Sequence, residues 1–498
     1  MKPAEAPDYV IGVAGCGAMG QGIAQVSVQG GMKVVLFDAR DGGAVAAKDA
    51  IAGRLNRLVE KGRMGEADAQ AAIDLLVPAS GIADMAQADC VVEAVFEDLD
   101  VKHSLFKDLE GAVRPDCILA SNTSSIPLAS IARVCEHRDR VAGLHFFNPV
   151  PLMKLVEVIR AAETSDETIS TLMALGRRMT RTPVEVKDSP GFLVNMGGRA
   201  YTTEALRIVH EGVATPAQVD AIMRDCWGFR MGPFELMDLT GIDVNYPVSQ
   251  IVYNGYNQDP RLKTSANHMA MFDAGMFGRK TGRGWYTYEN GKPGERPSAD
   301  YQTSADPVNA VRVAGPNPDL KAFCEEIGLT VGTEGPVLAA PAGLDASSVC
   351  AQVQADPRHF AALDLSGNTT QRITMMTAPG ADRAFLSGVA AAISASGRSV
   401  TWITDSPGFV GQRMVAMVAN LGCYMAEIGL ASPADIDTAM QLGLNYPHGS
   451  IAMTEQLGVP TCLNVLNALQ QITGEDRYRP TLWLKRRAML GLPIHTPN

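Results

Sequence analysis

The stretch that decides the fold is Tyr9 to Asp38, YVIGVAGCGAMGQGIAQVSVQGGMKVVLFD. Tyr9 to Val13 is a short apolar run that leads straight into Gly15-Cys16-Gly17-Ala18-Met19-Gly20. Ile23, Val26 and Val28 then fit a helix, and Lys33 to Phe37 reads as a second strand ending in Asp38. The glycines let the backbone turn and approach a pyrophosphate, and the helix N-terminus faces that phosphate. An acid 18 residues after Gly20 can hold a ribose diol. A GxGxxG alone is a weak sign. Strand, glycines, helix, strand and acid in that order predict a dinucleotide site built from Gly15, Gly17, Ala18, Met19 and Gly20. Asp38 predicts NAD, because a carboxylate there repels the 2′-phosphate of NADP; Arg40 lies close by.

The whole chain of 498 residues has room for three or four compact units. A net charge of -11 argues against nucleic acid and against a polybasic membrane surface, so an anionic ligand needs a local basic patch. Nine scattered cysteines, without a CxxC pair or metal-like spacing, suit reduced thiols and predict no metal. No signal core and no long apolar run appears, so the expectation is a soluble cytoplasmic protein.

Residues 44 to 64 read as a long helix in which Arg54, Arg57 and Lys61 share one face. That stripe is either a solvated face balanced by Glu60 or a receiver for a phosphate-bearing substrate. Ala88 to Val95 reads as a buried strand leading to Glu97 and Lys102. Cys117 to Ala120 reads as another, opening into Ser121-Asn122-Thr123-Ser124-Ser125. Small hydroxyl residues past a strand's carboxyl end lie where doubly wound sheets place ligands, although they can also simply cap a helix. Val141 to Arg160, VAGLHFFNPVPLMKLVEVIR, predicts a strand ending at His145, a turn forced by Pro149 and Pro151, and a return strand from Lys154 to Ile159. The return can bring Glu157 back to His145. Such a pair is the minimum kit for a general base, an imidazole that takes a proton and a carboxylate that orients it. The alternative is a satisfied core histidine with Glu157 ending in solvent.

A helix over 166–180 and a strand over 183–187 close the first domain. Asp188-Ser189-Pro190-Gly191-Phe192 then predicts a new helix, with a capping serine and Pro at its first position. The signal stays helical to about Tyr288, with a capping box at Thr215-Pro216-Ala217-Gln218. Asn195 and Glu204 are expected within the first of these helices; on spacing, Asn195 bonds a neighbouring helix rather than a ligand. Residues 289–318, rich in Pro, Gly and charge, read as a linker. Beyond it the chain repeats: Asp188-Ser189-Pro190-Gly191-Phe192 returns as Asp405-Ser406-Pro407-Gly408-Phe409, 217 residues later. Gly212, Pro216, Asp220 and Met223 return at the same spacing as Gly429, Pro433, Asp437 and Met440. The stretch 319–404 alternates strands and helices without GxGxxG. HFAALDLSG at 359–367 loosely echoes VAGLHFFNP without its histidine, and Gln412 answers Asn195.

Six blocks, GCGAMGQGIAQ, SNTSS, GLHFFNPVPLMKLVEV, DSPGFLVN, GFRMGPFELMDLTGID and GRKTGRGWYTY, cover residues 8 to about 288. In that order they resemble the NAD-dependent L-3-hydroxyacyl-CoA dehydrogenases, the 3-hydroxybutyryl-CoA dehydrogenase group included. The resemblance implies His145 as general base with Glu157 as its partner. It implies substrate contacts from Ser124 and Asn195, and NAD contacts from Asp38, Glu97, Lys102 and Asn122. Two positions depart from the family pattern. Met196 stands where arginine is usual, and GFRMGPFE replaces GFPMGPFE, placing Arg230 near the expected acyl site. The family includes long forms with a second helical domain, and its short forms pair that domain in a dimer.

The resulting expectation is a Rossmann-type α/β domain (1–187) followed by an all-α domain (188–288). A linker (289–318), a degenerate α/β segment (319–404) and a second all-α copy (405–498) complete the chain. The two helical copies are expected to pack about a pseudo-twofold within the chain; homo-oligomerisation stays open. The expected activity is NAD-dependent oxidation of an (S)-3-hydroxyacyl-CoA, its CoA on Arg54, Arg57 and Lys61. The acyl group is hydroxybutyryl or, given Arg230 and Arg199, the dicarboxylyl hydroxyadipyl. The alternatives are a dehydrogenase of a small hydroxy acid or carnitine-like alcohol, and a non-catalytic NAD-binding protein.

Overall fold

A computed structural model describes residues 1–498. The chain forms two compact units, one of residues 1–196 with 429–444, the other of residues 197–428 with 445–498. The helix at 433–444, part of the repeated helical segment, therefore belongs with the first unit.

In the first unit, eight strands lie in the order β3-β2-β1-β4-β5-β6-β7-β8. They are β1 (Val10–Ala14), β2 (Lys33–Phe37), β3 (Leu76–Pro78), β4 (Cys90–Glu93), β5 (Ile118–Ser121), β6 (Val141–Phe146), β7 (Leu155–Arg160) and β8 (Thr182–Lys187). All neighbouring pairs are parallel except β6 and β7, because the proline turn sends the chain straight back. The helices are α1 (Ala18–Gln29), α2 (Gly43–Glu60), α3 (Glu66–Asp74), α4 (Leu99–Ala112), α5 (Leu128–Ala132) and α6 (Asp166–Arg178). Near-continuous apolar strands such as KVVLF and CVVE fit a sheet covered on both faces. Ile11, Val13, Val34, Leu36 and Val92 are buried there against Ile23, Val26, Leu172 and Leu175. Strand order reverses between β1 and β4, and such switch points are where open α/β sheets take their ligands.

Two local expectations are corrected. Helix α2 stops at Glu60, so Lys61 is its C-cap and not part of the helical stripe. The chain does not turn helical at Pro190. Gly191 and Phe192 both take left-handed backbone (φ +77° and +48°), and a helix of right-handed residues cannot pass through them. It begins instead at Val194, as the short α7 (Val194–Gly197).

In the second unit, α8 (Arg199–His210), α9 (Pro216–Asp225), α10 (Pro233–Thr240), α11 (Ile242–Gly255) and α12 (Ala266–Asp273) follow. Asn195 in α7 and Glu204 in α8 thus sit on different helices, with Gly198 between them. The predicted capping box is present at Thr215 and Gln218. The presumed linker carries a two-stranded ribbon, β9 (Tyr288–Glu289) with β10 (Lys292–Pro293), and then β11 (Ala310–Val313). The second α/β layer therefore begins at Ala310, where an apolar strand pattern emerges from the polar stretch. Strands β12 (Thr330–Val331), β13 (Val337–Ala339), β14 (Phe360–Asp364), β15 (Arg372–Thr377) and β16 (Ser399–Thr404) complete a sheet ordered β12-β11-β13-β14-β15-β16. Its helices are α13 (Pro318–Glu326), α14 (Ala346–Gln352) and α15 (Arg383–Ala395); α16 (Gly411–Glu427), α17 (Pro433–Leu444), α18 (Ala452–Leu457), α19 (Val459–Thr473) and α20 (Leu482–Leu490) follow.

Repeated elements meet their own counterparts. Helix α8 packs on α16, its repeat, and the turn at 260–262 meets the turn at 476–478. Within the second unit α9 packs on β15, and within the first unit α17 packs on β7. At the centre of the α8–α16 contact, Glu204 is fully buried. Its carboxylate pairs with Arg413 and with Arg477 (3.0 Å), and accepts from the Tyr478 hydroxyl at 2.8 Å. Burial alone would raise the Glu204 pKa, but the charges of Arg477 and Arg413 outweigh it and hold it below the usual range. Removing one partner from a buried ion pair strands the other charge. We predict that Arg413→Met lowers the unfolding free energy by about 3–5 kcal/mol. Denaturant titration followed by tryptophan fluorescence checks this, and a loss below about 1 kcal/mol contradicts it.

Candidate active site

The glycine loop sits over the switch point. Gly15 has φ +102°, and a side chain there would lie 2.6 Å from the Ala94 carbonyl. A Cβ on Gly20 would come within 1.8 Å of the Gly15 carbonyl oxygen, so that glycine lets α1 pack against the turn. Gly17 meets nothing within 4 Å, leaving the helix N-terminus open on the side where a pyrophosphate approaches. One glycine turns, one leaves room and one packs, as dinucleotide binding requires, so the residues present fit NAD. Asp38 ends β2 with its carboxylate fixed by the Cys16 N–H at 2.9 Å. Hydrogen bonds from the Arg40 side chain pull its pKa down to about 2.

Across the sheet, register pairs His145 on β6 with Glu157 on β7. The imidazole Nδ1 lies 2.6 Å from Glu157 Oε2, with His145 5% exposed and Glu157 wholly buried. Glu157 Oε1 accepts the N–H groups of Leu193 (3.1 Å) and Val194 (2.8 Å). Those donors are available because the left-handed turn at Gly191-Phe192 delays the helix and aims its first N–H groups inward. With Oε1 filled by two donors, the shared proton belongs on Nδ1, which leaves Nε2 as the acceptor. Phe147 and Phe192 flank the ring at 4.5 and 5.9 Å between centroids.

The serine loop after β5 is held from below. Glu93, buried at the end of β4, accepts from Lys102 Nζ (2.7 Å) and from Ser121 Oγ (2.6 Å). Lys102 is itself buried and reaches Glu97 Oε2 at 3.3 Å, which ties the two acids together beneath the loop. Glu97 Oε1 accepts the Thr123 hydroxyl and the backbone N–H groups of Ser124 and Ser125. Burial alone would raise the Glu97 pKa; the Thr123 hydroxyl, the Lys102 charge and the Ser124 N–H together bring it below the usual value. Asn195 Nδ2 donates to the Ser124 carbonyl at 3.3 Å, and Asn122 Oδ1 accepts the Phe146 N–H at 2.8 Å. The fold thus brings Ser124, Asn195, His145 and Glu157 together in one unit. Glu93 escaped the sequence reading, since VVEAV shows only one acid in an apolar strand.

The basic stripe lines a cleft of about 600 Å³ formed by Arg54, Arg57, Lys61 and Arg63 against Asn148–Leu152. Arg54 donates to Gln25 and Gln21, both at 3.0 Å, while its Nη2 is buried without a partner. Arg63 was not singled out in the sequence because, in a helix over 44–64, it falls on the face opposite Arg54, Arg57 and Lys61. Arg230 is exposed, with no acid paired to it, whereas Arg199 is buried and donates to Ser249 Oγ at 2.8 Å.

A family profile described as 3-hydroxyacyl-CoA dehydrogenase, NAD binding domain, matches residues 10–189; the C-terminal domain of the same family matches twice, at 191–288 and 408–493. The chain belongs to the 3-hydroxyacyl-CoA dehydrogenase family. It is 36% identical over 480 residues to the 3-hydroxyadipyl-CoA dehydrogenase of Escherichia coli, covering 96% of this chain and 97% of that one. A probable 3-hydroxybutyryl-CoA dehydrogenase of Bacillus subtilis is 39% identical over 277 residues, which is 56% of this chain and 96% of that one. A crystal structure of 3-hydroxybutyryl-CoA dehydrogenase from Escherichia coli superposes with a TM-score of 0.87 at 34% identity, covering 97% and 98% of the two chains. The expected family, its Rossmann-type domain with helical domains and NAD as cofactor are thereby established. No helix is long and apolar enough to cross a membrane. Within this dehydrogenase family site, Gly17→Ala should weaken NAD binding by about tenfold or more, because the methyl occupies the approach path. Its melting temperature should stay within experimental error, because that methyl meets no protein atom; a parallel loss of both in calorimetry contradicts the assignment.

Proposed function

We propose that the chain oxidises (S)-3-hydroxyacyl-CoA thioesters to 3-ketoacyl-CoA, with His145 as general base and Glu157 as its charge partner. The observation that carries this reading is the 2.6 Å His145–Glu157 pair, its carboxylate anchored by two backbone N–H groups. Bound NAD supplies the acceptor for the hydride at C3. His145 Nε2 takes the proton of the substrate hydroxyl, and Glu157 stabilises the imidazolium through Nδ1. Ser124 and Asn195 hold the substrate oxygens, and Glu97, set by Lys102 and Glu93, fixes the serine loop. Asp38 receives the adenosine ribose, and Asn122 keeps the loop against β6. Arg54, Arg57, Lys61 and Arg63 meet the phosphates of CoA; the unpartnered Arg54 Nη2 supports this, since a buried donor without an acceptor is costly.

His145→Gln and Glu157→Gln should each reduce kcat/KM by about 10²–10⁴ while leaving NAD affinity nearly intact. A variant of either residue that kept more than about a tenth of wild-type kcat/KM, a loss under ~1.4 kcal/mol, sinks the pair assignment.

The acyl group we propose ends in a carboxylate, as in 3-hydroxyadipyl-CoA. Support comes from the relative of that name matched along nearly the whole chain; the cation proposed to meet the carboxylate is Arg199. Arg199 is buried among Ser249, Asn245 and Tyr446, and burial lowers its pKa to about 10, so it stays charged at neutral pH. The Tyr446 hydroxyl and His268 Nε2, in the same field, are buried donors or acceptors without partners. Arg230, exposed and without a paired acid, is the second cation proposed to meet that carboxylate. The readout is the ratio of kcat/KM for (S)-3-hydroxyadipyl-CoA over (S)-3-hydroxyhexanoyl-CoA. Arg199→Met should lower it by about tenfold or more, since a hydrogen-bonded charge is lost for one substrate alone. An unchanged ratio in both Arg199→Met and Arg230→Pro returns the acyl group to the monocarboxylyl class.

A further inference from the structure

The Asp38 carboxylate is saturated. Oδ1 accepts the Arg40 backbone N–H at 2.9 Å and Arg40 Nε at 2.8 Å. Oδ2 accepts the Cys16 N–H at 2.9 Å and Arg40 Nη2 at 2.9 Å. A carboxylate offers about four lone-pair positions, and all four are taken. Two of the donors are main chain and hold the carboxylate in place. The other two belong to one guanidinium in a fork-on-fork arrangement, and they occupy what a ribose diol needs.

The two partners differ in freedom. The Asp38 side chain is 7% exposed and that of Arg40 is 72% exposed. The Arg40 backbone is tied down, because its carbonyl accepts the Gly43 N–H at 3.0 Å. Gly43 also lets α2 close on Asp38, as a Cβ there would lie 2.8 Å from the Asp38 carboxyl carbon. The guanidinium can therefore leave while its tether stays beside the ribose position.

We propose that Arg40 is a specificity-determining side chain of the cofactor site: it caps Asp38 in the free enzyme, yields to the ribose of NAD, and pairs with the 2′-phosphate of NADP. An Asp38 carboxylate standing alone would repel that phosphate. The Asp38–Arg40 pair is neutral as a unit, and the displaced guanidinium offers planar, bidentate recognition of a phosphate. The chain consequently accepts NADP as a weaker second cofactor, and its preference for NAD is smaller than Asp38 alone would give. An exposed ion pair is a weak cap, so its displacement costs little NAD affinity.

The test is a titration of the full-length enzyme with NAD and, separately, NADP, without acyl-CoA. It therefore reads the cofactor site independently of the His145 reaction and of the acyl-group assignment. Arg40→Ala should bind NAD as tightly as wild type or up to about fivefold tighter, because the competitor is gone. The same variant should bind NADP about tenfold or more weakly, since the phosphate loses its bidentate partner and faces a bare carboxylate. Arg40→Lys, a point charge without the fork, should fall between the two for NADP. An NADP affinity that falls while NAD affinity holds or rises is the signature of competition plus recognition. Parallel weakening of both, or an NADP affinity that does not fall in Arg40→Ala, overturns the proposal and leaves Arg40 a solvated surface residue.

Discussion

A carboxylate with no access to water has to be matched on every side, and Glu157 is so matched. His145 Nδ1 faces one oxygen at 2.6 Å; the Leu193 and Val194 N–H groups fill the other. An isolated buried charge would be prohibitively costly, so each of these partners is constrained by it. The constraint explains why β7 must run antiparallel to β6, since only that register puts residues 145 and 157 opposite each other. It also explains the left-handed backbone at Phe192, which holds a non-glycine residue in a costly conformation. A smooth helix start at Pro190 would turn those two donors away.

The repeat shows what happens when that constraint is lifted. The left-handed turn returns at Gly408 and Phe409, so the backbone device survives. Register places Asp364 opposite Thr374, in the seats that His145 and Glu157 hold in the first copy. Gln412 Nε2 donates to the Pro341 carbonyl, as Asn195 Nδ2 does to that of Ser124, and also to Asp364, while its Oε1 accepts the Gly343 N–H. Burial raises the Asp364 pKa, and Trp227 packs where Gly411 and Gly367 leave no side chain. The second copy keeps the frame and fills the cleft. Conversely, the helical contact keeps its ion pair through the second copy's arginine: Arg413 is the counterpart of Met196, and Glu204 that of Leu421. Losing only one ion of such a pair would strand a buried charge, and the sequence shows neither half alone.

Much of the architecture was legible because it rests on local rules. Glycine spacing, strand apolarity, proline turns and the Thr215 capping box each act within a few residues, and the identity of Asp188–Phe192 with Asp405–Phe409 exposed the duplication. The missed features are those in which distant segments meet. Pro190 looks like a helix start because the pull of Glu157 on residues 193 and 194 is invisible from the helix side. The partner of Lys102 is Glu93, nine residues earlier on a buried strand, and nothing in the local pattern announces that pair. Residues 310–313 read as linker because a four-residue strand is too short to outweigh flanking prolines and glycines. Arg40 is only a near neighbour of Asp38 in the sequence; in the fold its side chain caps the carboxylate.

The most direct test of the Glu157 account is the tautomer of one imidazole. In ¹⁵N-histidine NMR of the intact enzyme at neutral pH, with His145→Gln used for assignment, the account predicts a proton on Nδ1, shifted downfield by the Glu157 carboxylate, and a bare Nε2. In Glu157→Gln that downfield signal should vanish. A His145 resonance with the proton on Nε2 and none on Nδ1 would contradict the account, because the nitrogen facing the substrate would then be unable to accept its proton.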